Sequence, residues 1–320
     1  MIRIVFFGTP DFAVTCLNGL LAADGIDVAA VVSAPDKPGG RGRQLQASPV
    51  AAMARDRGLL LLQPERLRDE GFIAALRSLK ADVFAVVAFR MLPEVVWSMP
   101  RYGSLNIHGS LLPDLRGAAP IQWSIALGDR LTGLTAFSLN HAIDEGDILA
   151  QIEVEIGPNE TFSSLYDRMA AQGTMLAVSV LQEMGTSEHR RITQNREVKH
   201  RSAPKLGPEF AKLESLETAK MIHDRIRACD SVPGASLPSP INPAERFKVF
   251  SSNWHSEKRT SSPIGIHYII DNQSIKVIDS DGFADILEVQ WPGKRRMQTS
   301  EFLRGSLLRG SFALNGQKFD

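Results

Sequence analysis

Apolar residues in the first half of the chain fall into short continuous runs, with amphipathic stretches between them. IRIVFF (2–7) is one such run. Gly8-Thr9-Pro10-Asp11 turns it into a helix that starts near Asp11 or Phe12 and carries Leu17, Leu20 and Leu21 on its apolar side. IDVAAVVS (26–33), LLLL (59–62), DVFAVVAF (82–89) and SLNIH (104–108) read as further strands, with helices over 50–58 and 72–80 among them. Strands that are apolar throughout are buried on both faces, so the alternation predicts a doubly wound, mostly parallel α/β sheet of Rossmann-like type. Pro120 suits the first turn of a helix reaching about Gly128. TGLTAFSLN (132–140) and DILAQIEVEI (147–156) add two strands around the acidic loop HAIDEGD (141–147), and 161–184 forms one long amphipathic helix.

The pattern then changes. Residues 186–209 are polar, basic and without period, which predicts a linker. A helix over 215–229 follows. From about 240 the chain turns to short β-rich runs spaced by turn signals: RFKVFSS (246–252), IGIHYIID (264–271), SIKVID (274–279) and DILEVQW (285–291). That spacing suits a smaller barrel of the oligonucleotide-binding (OB) type. The expected domains are therefore 1–187 as the catalytic part, 188–209 as a basic linker and 210–320 as an OB-like domain.

At 320 residues the chain is longer than one typical core supports, which agrees with two domains. The net charge of zero hides an asymmetry. Residues 1–187 carry 15 basic against 20 acidic side chains, and 188–320 carry 21 against 16. A second half at +5 fits a polyanionic partner, and equally a chance imbalance on a solvated surface. With only Cys16 and Cys229 there is no disulfide framework and no thiolate metal cluster. The N-terminal segment lacks the basic flank and cleavage site of a secretory signal, and no apolar run approaches the roughly 18 residues of a membrane span. A reducing cytoplasm is expected, with no membrane contact, no metal and no obligate protein partner evident.

The chemistry is narrowed by what is missing. No G-x-G-x-x-G follows the first strand, no phosphate-binding G-x-x-x-x-G-K-[ST] occurs, no serine sits in a G-x-S-x-G elbow, and the seven histidines show no metal-ligand spacing. What remains is Asn106 and His108 at the end of one strand and Asp144 in the acidic loop. In a doubly wound sheet these fall along the rim where ligands bind. Asn and His donors aimed at one point polarise a carbonyl, and a carboxylate beside the imidazole holds its tautomer. The set has no strong nucleophile, so the attacking group comes from the substrate: acyl-type transfer to an amine. Taken singly, Asn106 and Asp144 fit turn caps and His108 fits a buried structural histidine. Their expected convergence is what favours catalysis over these readings. His141 competes for the imidazole role from a less direct position.

The run NIHGSLLP (106–113) with RGAAPI (116–121) resembles the signature of the methionyl-tRNA formyltransferases. The resemblance extends to FGTPDFA (7–13), PDKPGGRGR (35–43), IDEGDIL (143–149), APKL (203–206), IRACDSVPGA (226–235) and PGKRRM (292–297), nearly the whole chain. It implies a formyltransferase-type α/β domain and transfer of a formyl group from 10-formyltetrahydrofolate to the amino group of methionyl initiator tRNA. It also assigns catalysis to Asn106, His108 and Asp144. Folate would lie against Ser110, Leu111, Leu112 and Pro113, with a cis-type peptide at Leu112–Pro113. The rim Phe89-Arg90-Met91-Leu92 and Ile143 would close over the pteridine. Arg41 and Arg43 of the glycine-rich loop, Lys205 in the linker, and Lys294, Arg295 and Arg296 would meet tRNA; a solvated turn fits the last three as well. Phe12 would touch the methionine or acceptor end, or belong to the core. The family rim usually reads AYGxxLP; here AFRMLP is one residue shorter and sets Arg90 beside the pocket. Two rivals stand: an amino-sugar formyltransferase with the same triad, and a tRNA-binding protein with a vestigial site.

Overall fold

The computed structural model describes residues 1–320 except 40–43, 185–190, 196–199, 241, 243, 259–265, 307 and 314–320. The chain divides into two compact units. One comprises Met1–Pro120, Thr132–Val154 and Tyr166–Ala203; the other gathers Ile121–Leu131, Glu155–Leu165 and Pro204–Asp320. The second unit thus takes in two pieces of chain that lie before residue 187.

In the first unit the strands are β1 (Ile2–Gly8), β2 (Ile26–Val32), β3 (Lys37–Gly39), β4 (Gln44–Gln46), β5 (Leu61–Leu62), β6 (Val83–Val87), β7 (Ser104–His108), β8 (Arg116–Gly117), β9 (Leu131–Ser138), β10 (Ile148–Glu155) and β11 (Ser202–Ala203). Seven of them form one sheet in the order β10-β9-β7-β6-β1-β2-β5. From β7 to β5 the neighbours run parallel, whereas β9 runs antiparallel to β7. β1 and β6 sit in the middle and are apolar and buried almost throughout, as strands covered on both faces must be. Helices α1 (Asp11–Ala22), α2 (Pro49–Asp56), α3 (Glu70–Ser78) and α4 (Glu94–Trp97) follow the parallel strands. Ser48 and Asp69 cap α2 and α3 by accepting the Ala51 and Phe72 N–H groups, as short polar side chains at helix starts do. β6 stops two residues before the apolar run ends, because Ala88 adopts φ +47° and turns the chain out of the sheet.

β3 and β4 pair antiparallel on either side of the undescribed stretch 40–43. The two-residue strands β8 and β11 pair parallel with each other. The segment expected to be a plain connector therefore has structure of its own, and Ile192 also bridges to Ile148.

In the second unit β12 (Ala235–Pro238), β13 (Arg246–Ser256), β14 (His267–Ile270), β15 (Ile275–Ile278), β16 (Gly282–Gln290), β17 (Met297–Gln298) and β18 (Gly310–Ala313) build an antiparallel, half-barrel sheet. Its order is β12-β13-β16-β15-β14-β18, with β17 on β16. Of the remaining helices, α7 (Ala219–Ala228) and α8 (Thr299–Arg304) lie in this unit, while α5 (Pro120–Ala126) and α6 (Phe162–Met184) each span a unit limit along the chain. Polar contacts explain why residues 155–165 belong here. His223 Nε2 donates to Pro158 O at 3.0 Å, and Arg227 donates to Gly157 O and Glu160 O at 3.3 and 3.1 Å. Burial pushes the His223 imidazole down to about 4, so the ring is neutral and its Nδ1 accepts from Ser252 Oγ at 2.9 Å. Among the described residues no helix is long and apolar enough to cross a membrane.

Candidate active site

The two donors sit where strand alternation puts them. Asn106 and His108 are two apart on β7, so their side chains share one face, while Ile107 packs on the other near Gly173 and Leu134. His108 is 6% exposed. Its Nε2 lies 2.9 Å from Leu115 O. A carbonyl can only accept, so Nε2 carries a proton and Nδ1 is the ring nitrogen left to face the site. Nδ1 faces Asp144 Oδ2 at 3.8 Å. That separation suits an ion pair but exceeds a direct hydrogen bond, so each group keeps capacity for a third partner. Asn106 Oδ1 is buried and unpartnered among the described residues. The two ends of a carboxamide exchange by rotation, so a donor or an acceptor can be presented there.

The loop after β7 is fixed by one threonine. Thr135 on β9 pairs with His108 in register, and its buried hydroxyl donates to Ser110 O at 2.7 Å. The same oxygen accepts the Leu112 N–H at 3.0 Å and Gln151 Nε2 at 2.9 Å, and Gln151 also donates to Leu112 O at 3.0 Å. Ser110 Oγ donates to Asp114 O at 2.6 Å. The Leu112–Pro113 peptide is cis. At the loop's far end Arg201 pairs with Asp114 at 2.5 Å. Desolvation opposes ionisation there, but the Arg201 hydrogen bonds and charge prevail and hold the Asp114 carboxyl below its ordinary range.

Asp144 is positioned by its own turn. Its φ is +54°, a left-handed conformation that few residues other than glycine and Asx adopt. Its Oδ2 accepts the Gly117 N–H at 2.9 Å, which ties the acidic loop to the loop after β7. Two glycines on either side of this contact let other backbone pass close by. A Cβ on Gly117, at φ +127°, would meet Ala203 O at 2.4 Å, and one on Gly146 would meet Ser138 O at 1.6 Å. Arg116 pairs with Glu145 at 3.2 Å, and Gln194 joins the same cluster. Thr135, Gln151 and Gln194 were not singled out from the sequence; their bonds link segments far apart in the chain and leave no local pattern.

The expected folate residues divide into two groups. Ser110, Leu112 and Leu92 are buried, Leu111 and Pro113 are half-buried in the loop, and Phe89 stacks edge-on against Phe7 at 5.6 Å. Met91 and Ile143, by contrast, are 68% and 60% exposed, two large apolar side chains left uncovered. Arg90 directs its guanidinium at Pro64 O and Glu65 O, at 2.5 and 3.0 Å. His141 is exposed.

Of the expected tRNA residues, Arg41 and Arg43 lie outside the described residues. Lys205 is exposed. In the second unit Lys294 is exposed with its Nζ 5.8 Å from the Phe302 ring; Arg295 pairs with Glu301 at 2.6 Å, and Arg296 with Glu288 at 2.5 Å. Phe12 is 6% exposed, edge-on to Tyr166 at 5.3 Å, and so sits in the core of the first unit. Burial pushes both Cys16 and Cys229 thiols up to about 12, so neither is a nucleophile near neutral pH.

The rim sets a carboxamide and an imidazole on one strand face, with a carboxylate 3.8 Å from the imidazole, groups able to polarise a carbonyl and move a proton. The sequence model of the formyl transferase family matches residues 2–181, and that of the formyl transferase C-terminal domain matches 205–307. A protein of Bacteroides thetaiotaomicron named methionyl-tRNA formyltransferase is 41% identical over 98% of each chain. Among solved structures, WlaRD, described as a sugar 3N-formyl transferase, superposes with TM-score 0.64 at 19% identity, covering 92% of this chain and 99% of its own. HypX from Aquifex aeolicus in complex with tetrahydrofolic acid gives 0.59 at 20%, over 95% of this chain and 48% of that one. With both halves matched in order and a relative alike over its full length, the chain belongs to the methionyl-tRNA formyltransferase family.

Proposed function

We propose that this protein transfers the formyl group of 10-formyltetrahydrofolate to the α-amino group of methionyl initiator tRNA, giving formylmethionyl-tRNA for translation initiation. The observation that carries the reading is the meeting of His108 Nδ1 and Asp144 Oδ2 at 3.8 Å, with His108 on the strand face that also bears the unpartnered Asn106 Oδ1. The full-length relative named methionyl-tRNA formyltransferase supports the acceptor. The sugar formyl transferase shares the fold at 19% identity and supports nothing finer.

The residues present fit a folate. Met91 and Ile143 expose apolar surface beside a polar rim, as a pocket for a flat heterocycle requires, and the Asn106 Oδ1 is an orphaned buried group. Ser110, Leu111, Leu112, Pro113, Phe89, Arg90, Met91, Leu92 and Ile143 would hold it. When bound, it supplies a formyl carbon whose nitrogen departs more readily than an ordinary amide nitrogen.

The chain's own groups then divide the work. The Asn106 carboxamide, turned with its NH₂ toward the site, and protonated His108 Nδ1 donate to the carbonyl oxygen and stabilise the charge it gains. Nε2 remains anchored on Leu115 O, so the ring cannot swing away. Asp144 Oδ2 stabilises the charged ring, receives, directly or through a water, the proton the amine gives up, and returns it to the nitrogen released as its bond to the formyl carbon breaks. The amine arrives largely neutral, because esterification lowers an α-amino pKa from its ordinary value of about 8. Exposed Lys205 and Lys294, together with Arg295 and Arg296, would meet tRNA phosphates.

The test offers the protein labelled 10-formyltetrahydrofolate with methionyl-tRNA and, in parallel, with nucleotide-linked amino sugars. Label on the methionyl amine supports the reading. Label on the sugar supports the amino-sugar rival, and retention of tRNA with no transfer supports the vestigial one.

A further inference from the structure

We propose that Gln194 is a positioning residue for the transfer reaction: it clamps the Asp144 turn to Arg116 and so keeps the carboxylate facing His108. The proposal rests on the formyl-transfer reading above. Gln194 lies in the stretch that the sequence presents as a basic connector, outside the expected catalytic domain, yet it is 4% exposed.

Its carboxamide is fully used. Nε2 donates to Asp144 O at 2.9 Å and to Gly146 O at 2.8 Å, while Oε1 accepts Arg116 Nη2 at 2.7 Å and Arg116 Nε at 3.2 Å. A glutamine has two donors and two acceptor lone pairs, and all four are satisfied. A ring of contacts therefore closes on the catalytic carboxylate. Asp144 Oδ2 accepts the Gly117 N–H, Gly117 follows Arg116, Arg116 is held by Gln194, and Gln194 returns to the Asp144 backbone.

The clamp acts where the backbone needs it. Asp144 is held at φ +54°, so the turn sits in a sparsely populated conformation that surrounding bonds must maintain. Gln194 is itself anchored from the other side. Two residues earlier, Ile192 exchanges both backbone hydrogen bonds with Ile148 at 2.8 and 2.9 Å, at the start of β10. The catalytic turn, residues 144–146, is thereby fastened from two directions, by β10 and by this connector. The position needs two donors and two acceptors at that reach. Glutamate keeps the acceptors and shape but sets oxygen against two carbonyls, and methionine keeps only the volume.

The experiment compares Gln194→Glu and Gln194→Met with the native protein in single-turnover formylation, and measures KM for both substrates. Both variants are expected to lose about 10- to 100-fold in the rate constant, the scale of a misplacement near 1 Å. KM for the folate donor should stay within about threefold, and Gln194→Glu should fall as far as Gln194→Met although its Arg116 bonds survive. A residue that merely supports folding would lower the amplitude, by reducing the active fraction, and leave the rate constant alone. Rate constants within twofold of native in either folded variant would overturn the proposal while leaving formyl transfer intact. A native protein that transfers formyl to neither acceptor would overturn both.

Discussion

Asp144 Oδ2 lies 3.8 Å from His108 Nδ1 and 2.9 Å from the Gly117 backbone nitrogen, so one carboxylate oxygen serves the imidazole and fastens the loop that follows it. The groups proposed to do the chemistry are also part of what holds the loops together. Substitutions in their support should therefore report on stability and turnover in separable ways.

Thr135 is the clearest support. Its hydroxyl makes three hydrogen bonds, buried ones with Ser110 O and the Leu112 N–H and a partly buried one with Gln151 Nε2. Thr135→Val keeps the shape and strands three partners, of which each buried unsatisfied group costs about 1–3 kcal/mol. A loss of about 2–3 kcal/mol is expected, since Gln151 retains its bond to Leu112 O. Urea denaturation measures it, and an increase in KM for the folate donor is expected alongside, because the Leu111–Pro113 segment loosens.

His223 sets an acid limit to stability. Its folded-state value is depressed by burial to about 4 against an ordinary 6.5. As pH falls the unfolded chain takes the proton first, so stability is unaffected above about pH 6.5 and declines from there to about pH 4. Across that window the loss approaches about 3 kcal/mol, at roughly 1.4 kcal/mol per pH unit. Chemical denaturation followed by the fluorescence of Trp254 and Trp291 measures it; His223→Gln is expected to flatten the slope there by one proton.

On the proposed tRNA surface the basic residues are unequal. Arg295 and Arg296 are each paired with a glutamate, and the Glu288 bond holds the Arg296 guanidinium even further above its ordinary range. Lys294 faces solvent over Phe302. Each neutralised phosphate contributes about one to the salt dependence of binding. Lys294→Ala is therefore expected to lower the salt slope by about one, and Arg296→Ala by less, because its removal also leaves Glu288 unpaired. Binding titrations at several ionic strengths decide between them.

Much of the site is legible because it follows strand geometry. An i, i+2 pair on β7 shares a face whatever the rest of the chain does, so Asn106 and His108 can be placed from SLNIH alone. The parallel strands are legible from continuous apolar runs. β9, which lies antiparallel beside β7, is not: TGLTAFSLN looks the same in either direction. Gln194 escaped notice because polarity and lack of period mark a connector equally well when one side chain is buried on a distant turn. The assignment of 121–131 and 155–165 to the second unit was also hidden. Contacts such as those of His223 and Arg227 with backbone carbonyls carry no sequence signature.

The most direct measurement is the formylation rate of Asp144→Asn. The substituted carboxamide still accepts the Gly117 N–H, so the fold and the melting temperature should be close to native. With no carboxylate to support a charged His108 or to receive a proton, kcat is expected to fall by about 10²- to 10⁴-fold while tRNA affinity is retained. A variant that is natively folded and formylates methionyl-tRNA at the native rate would contradict the convergence of Asn106, His108 and Asp144 on a single reacting carbon.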